Sequence, residues 1–119
     1  MKGSSRRPDQ VAEVVRQVVA DALLTELRDP RIGFVTVTDV RVTNELSVAT
    51  VRVSVMGDDA EQARALEGLN SAAGFLRSRL GKAVTTRLVP EIRFELDLGL
   101  QHAARINQIL GEIKREQPD

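Results

Sequence analysis

Cysteine is absent from this chain of 119 residues. That excludes a disulfide framework, a thiol nucleophile and any zinc site with cysteine ligands. Tryptophan and tyrosine are absent too, and three phenylalanines are too few for a sheet-borne platform that stacks splayed bases. The one histidine, His102, has no second ligand type at useful spacing, and Asp58-Asp59-Ala60-Glu61 matches no calcium loop but suits helix capping. Neither a metal nor a cofactor is expected. No eighteen apolar residues run together, and Met1–Arg7 has no apolar stretch resembling a secretory signal. The chain therefore reads as soluble and cytoplasmic. It has no phosphate-binding Walker loop and no paired carboxylates of obvious placement, so an enzyme is not expected.

Net charge is also lacking, since Lys plus Arg and Asp plus Glu both number 17. Distribution matters more than the total. Phe75 to Arg87 carries Arg77, Arg79, Lys82 and Arg87 and no acid, while acids gather at Asp58, Asp59 and Glu61. An apolar stripe at helical spacing, Leu66, Leu69, Ala73, Leu76 and Leu80, runs across Ala72-Ala73-Gly74. The two helical pieces should thus form one bent rod with a cationic exposed side, a fit for a phosphate backbone.

The size is that of a single domain, expected to bury roughly 65% of its unfolded surface. A first helix is expected from about Pro8 to Arg28, with Val11, Val14, Val15, Val18, Ala22 and Leu27 as its core stripe. Met1–Arg7 before it is expected to be a flexible basic terminus. Asp29-Pro30 stops the helix, because a residue before proline is pushed out of the α region. Two Val- and Thr-rich strands follow, about Phe34–Thr43 and Leu46–Val55, joined at Thr43-Asn44-Glu45. Hydrophobic parity changes along each, which predicts pairing of 42 with 46, 40 with 48, 37 with 51 and 35 with 53, the two ends burying opposite faces. A bulge near Thr38-Asp39 is the competing account.

Asp58 or Asp59 can cap a helix over Ala60–Ser71, with Gln62 placed for a capping box on Asp59. The bent pair should continue to about Thr85. A third strand follows at Ile92–Leu96, then a last helix from Asp97 and Gly99 through Ile113, frayed over 114–119. The expected class is α+β, with a three-stranded mixed sheet and helices packed on it.

That order, before the last helix, resembles the type II KH arrangement. A KH domain clamps RNA backbone with a GXXG loop; here Ala72-Ala73-Gly74 stands in that place as an Ala-x-Gly bend. Further stretches are Arg28-Asp29-Pro30-Arg31-Ile32-Gly33, Phe75-Leu76-Arg77-Ser78, Gly81-Lys82-Ala83, Arg87-Leu88-Val89-Pro90-Glu91-Ile92-Arg93-Phe94 and Asp97. Together they resemble the bacterial ribosome-binding factor A family over roughly residues 6 to 113. The resemblance implies a small-subunit assembly factor that binds 16S ribosomal RNA of free 30S particles in late maturation. It further implies help in shaping the 5′-terminal helix region, support of growth in the cold, and work beside ribosome-assembly GTPases. Many relatives carry a longer flexible tail. A monomer is expected.

Candidate RNA contacts follow from charge and position. Ala72 and Gly74 are small enough to let a backbone approach, or merely to let helices crowd. Lys82 and Ser78 point away from the Leu76/Leu80 stripe, with Arg77 and Arg79 flanking it. Arg87 is a contact or a partner for a carboxylate where the third strand begins. Arg6 and Arg7 are auxiliary phosphate contacts, and Arg31 is exposed enough for structural or RNA duty. Phe75 is expected to pack against a neighbouring element, although it suits stacking on a base. Asp29 is expected to bond its own turn backbone. The rival function is a protein-interaction module whose same basic face meets an acidic partner.

Overall fold

The structure, a computed structural model, describes residues 2–84, 87–99 and 108–111, with side chains from Arg7 onward. Its elements are α1 (Lys2–Thr25), β1 (Val35–Val42), β2 (Val48–Val55), α2 (Asp59–Ser71), α3 (Ala73–Ala83) and β3 (Glu91–Leu96). The strands form one mixed sheet in the order β1-β2-β3, with β1 antiparallel and β3 parallel to β2. The α+β class and the expected order therefore hold. Most of the expected last helix lies outside the described residues, which show helix at 108–111; His102 is outside them as well.

Helix α1 differs from expectation at both ends. It starts at Lys2, so the supposed basic terminus forms its first turns, and Pro8 lies inside it, buried. It ends at Thr25 rather than Arg28, and the Glu26 and Leu27 amides close on the Ala22 carbonyl at 2.9 and 2.8 Å. Its inward stripe is Val11, Val15, Val19 and Ala22, with Val14 and Val18 half-buried beside it. Valines are poor helix formers, so their burial against the sheet holds the helix.

The expected register is wrong, and the competing bulge is right. Val35 pairs with Val55 and Val37 with Val53; then Thr38 is skipped, so Val40 pairs with Val51 and Val42 with Ala49. One extra residue reverses strand parity. Val35, Val37, Val40 and Val42 thereby share the face of Ala49, Val51, Val53 and Val55, and no switch of face occurs. The turn is longer than expected because Leu46, at φ 60, folds inward as a buried plug instead of starting β2. Thr43 Oγ1 accepts the Ser47 and Val48 amides at 3.0 and 3.2 Å, closing that loop.

Helices α1, α2 and α3 cover one face of the sheet. α1 lies on β1 and against α3, while α2 and α3 pack over β3. Ala65, Leu69, Leu76, Leu80, Ile92 and Phe94 complete a core continuous with the α1 stripe. At the outer edge of the sheet, Asn70 Oδ1 accepts the Phe94 amide at 3.3 Å.

Candidate nucleic-acid interface

The bend is built from a strong start and a weak stop. Asp58, not Asp59, caps α2: its Oδ1 accepts the Glu61 amide at 2.8 Å while Glu61 Oε1 accepts the Asp58 amide at 3.0 Å. Gln62, the expected box partner, is instead buried and donates to the Gly57 and Val55 carbonyls. α2 and α3 are parted by Ala72 alone, at φ −87 and ψ −4. Its amide reaches both Gly68 O and Leu69 O, and its carbonyl already accepts the Leu76 amide at 3.0 Å. The pair is one bent rod, as the stripe predicts; α3 ends at Ala83 with Val84 extended after it, and Thr85, the expected end, lies outside the described residues. α3 has no side-chain cap and no acid in its first turn.

A second tie fixes the rod just before its bend. The Arg31 guanidinium bonds Asp29 Oδ2 at 2.6 Å and Glu67 Oε1 at 3.0 Å, and Asp29 Oδ1 accepts the Arg31 amide at 2.9 Å. Asp29 thus bonds its own turn, as expected. The Arg31 side chain and then its amide hold the Asp29 carboxyl down to about 2, and the two acids raise the Arg31 pKa in return. Arg31 is thus a half-buried structural clamp between two carboxylates. Gly68 lets the clamp come close: a Cβ there would meet Ile32 Cγ1 at 2.8 Å.

Beyond the bend, Gly74, Arg77, Ser78 and Gly81 of α3 face Arg87, Leu88 and Val89 across an open groove of about 570 Å³. Arg77, Ser78, Arg79, Lys82 and Arg87 are all exposed, so the cationic flank is not buried against the rest of the molecule. Their duties differ, however. Arg77 donates through Nε and Nη2 to the Val89 carbonyl at 3.2 and 2.9 Å, holding the far wall of the groove in place. Arg79 pairs with Glu26 at the end of α1. The helix lacks local acids, yet partners come from distant segments. Glu91, the carboxylate where β3 begins, is taken by Arg93 at 2.9 Å, not by Arg87. Arg93 and then the more distant Arg77 charge keep the Glu91 carboxyl below its ordinary value.

The small residues separate cleanly. Ala72 is half-buried and packs on the core, whereas a Cβ on Gly74 would meet nothing within 4 Å. Phe75 does not pack against another element's core; it stays exposed with the Arg79 guanidinium 5.8 Å from its ring centroid. Leu88 and Val89 are groove residues that charge-based reasoning passes over. Their signal is Pro90, which keeps Val89 extended. Arg7 is exposed on α1, away from the α3 groove in sequence, and the Arg6 side chain lies outside the described residues. Among the described residues no acidic or histidine cluster suits a metal, and no helix is long and apolar enough to cross a membrane.

Sheet order, helix placement and an Ala-x-Gly bend in place of GXXG define a KH-like α+β protein of the type II order. The family described as Ribosome-binding factor A matches residues 7–110. A ribosome-binding factor A of Desulforamulus reducens is 45% identical over 113 residues, covering 95% of this chain and 94% of the relative. The solution structure of a Thermotoga maritima protein assigned as the same factor superposes with a TM-score of 0.69 at 35% identity, over 78% of this chain and 89% of that one. A homology model of the Thermus thermophilus factor, fitted into a cryo-electron-microscopy map of its 30S complex, gives a TM-score of 0.55 at 26% identity, over 76% of this chain and 90% of that one. The chain belongs to the ribosome-binding factor A family.

Proposed function

We propose that this chain binds the 16S ribosomal RNA of the free 30S subunit through the α3 groove and assists its late maturation. Gly74 carries the proposal. Among the described residues no packing demand explains a helix-weakening glycine at that position, while a phosphate backbone entering the groove beside Ser78 and Arg87 needs the space. The first turn of α3 carries no acid to repel a phosphate. The 30S complex of the Thermus thermophilus relative supports the same partner.

The mechanism is binding without catalysis or cofactor. A rigid cationic ridge favours one local RNA conformation over others by differential affinity, here in the 5′-terminal helix region. Cold dependence follows because misfolded RNA helices rearrange slowly at low temperature. The factor acts as a cytoplasmic monomer, and ribosome-assembly GTPases work beside it. Sedimentation of the purified chain with ribosomal particles is the test. Enrichment on free 30S particles and absence from 70S ribosomes and polysomes supports the proposal. Indifference to RNA with capture of an acidic protein through the same face replaces it with the interaction-module function.

A further inference from the structure

We propose that Phe75 is a stacking site for one unpaired nucleobase of the bound RNA, with Arg79 as its backing rather than as a phosphate ligand. The proposal rests on the RNA-binding function above and adds a base-directed contact to a backbone-directed groove.

Phe75 follows Gly74 in the first turn of α3 and keeps 46% of its surface exposed, whereas the core ring of Phe94 keeps 6%. At about 100° per residue, Phe75 shares an exposed arc of α3 with Ser78 and Lys82. It therefore borders the groove without lining it. The Arg79 guanidinium, one turn along, sits over the ring at 5.8 Å, and Glu26, just past α1, pairs with the same guanidinium. A cation–π contact anchored by an ion pair to a second helix restrains the ring and occupies one of its faces. Beside that contact the residue still keeps nearly half of its surface exposed.

Each neighbour fits a nucleotide. The exposed Lys82 ammonium and Arg87 guanidinium supply charge for phosphates, and Gly74, which lines the groove with Arg87, has open space where a side chain would stand. A ring presented beside such a track covers its apolar face by stacking, which is tolerant of sequence because every base has a π-face. Arg79 gains nothing as a phosphate ligand while Glu26 neutralises it.

The chain has no tryptophan, so Phe75→Trp introduces a lone indole reporter. It is titrated with a protein-free transcript of small-subunit ribosomal RNA, beside Phe34→Trp as an exposed control at the start of β1. Stacking predicts quenching of the indole at position 75 and little change at 34. Phe75→Leu should weaken transcript binding about tenfold, with Phe75→Tyr close to wild type and the salt dependence of Phe75→Leu unchanged, since no charge is removed. Wild-type affinity in Phe75→Leu, or an indole at 75 that ignores bound RNA, overturns the stacking site while leaving the RNA-binding function standing. A wild-type chain that does not bind the transcript overturns both.

Discussion

The Thr38 hydroxyl donates to the Asp97 carboxylate at 2.7 Å, joining the bulged residue of β1 to the residue after β3 across the central strand. Asp97 also accepts the Gly99 amide at 3.0 Å. The bulge that aligns the β1 valines is thus pinned from the far side of the sheet.

That pin makes stability depend on pH. The Thr38 hydroxyl first, then the Gly99 amide, hold the Asp97 carboxyl below its ordinary 3.8. A carboxyl with a lowered folded pKa contributes stability above its unfolded pKa and loses it as pH falls through the folded one. Asp97→Asn should therefore melt at a lower temperature than wild type at neutral pH, with the gap closing below about pH 4. Thermal melts across that range check it.

Two glycines six residues apart should respond oppositely to alanine. Gly68→Ala gains about 1 kcal/mol of helix propensity but pushes a methyl within 2.8 Å of Ile32 Cγ1, and crowding of that kind costs about 1–3 kcal/mol. Its denaturation midpoint should fall. Gly74→Ala meets nothing, so it should gain up to about 1 kcal/mol while binding RNA less well.

Arg77→Lys keeps the charge but loses the two-pronged bond to the Val89 carbonyl. If Arg77 positions the groove wall, the substitution should weaken RNA binding several-fold and speed amide exchange at Leu88 and Val89. A lysine variant that binds as wild type would show Arg77 to be a simple charge.

The sequence made some of this legible and hid the rest for identifiable reasons. Element order, the bend at Ala72 and the Asp29 turn follow from local patterns: a stripe, a proline, a carboxylate two residues from an amide. The strand register does not, because it depends on Thr38 meeting a residue 59 positions away. The same holds for the cations. Composition shows Arg79 without a local acid, but Glu26, 53 residues away, partners it; Arg31 finds Glu67 at a separation of 36. Ionic partners brought together by the fold are invisible to spacing rules, so Glu26 could not be named as the partner of Arg79 from the sequence.

That distinction gives the most direct measurement: the salt dependence of affinity for small-subunit ribosomal RNA, for wild type, Lys82→Gln, Arg87→Gln and Arg79→Gln. Each phosphate contact contributes about 0.7–0.9 to the slope of log K against log salt. A multi-charge slope is predicted for wild type, reduced by about one contact in Lys82→Gln and in Arg87→Gln, and unchanged in Arg79→Gln. An affinity indifferent to salt, or a slope that Lys82→Gln leaves intact, would contradict the account.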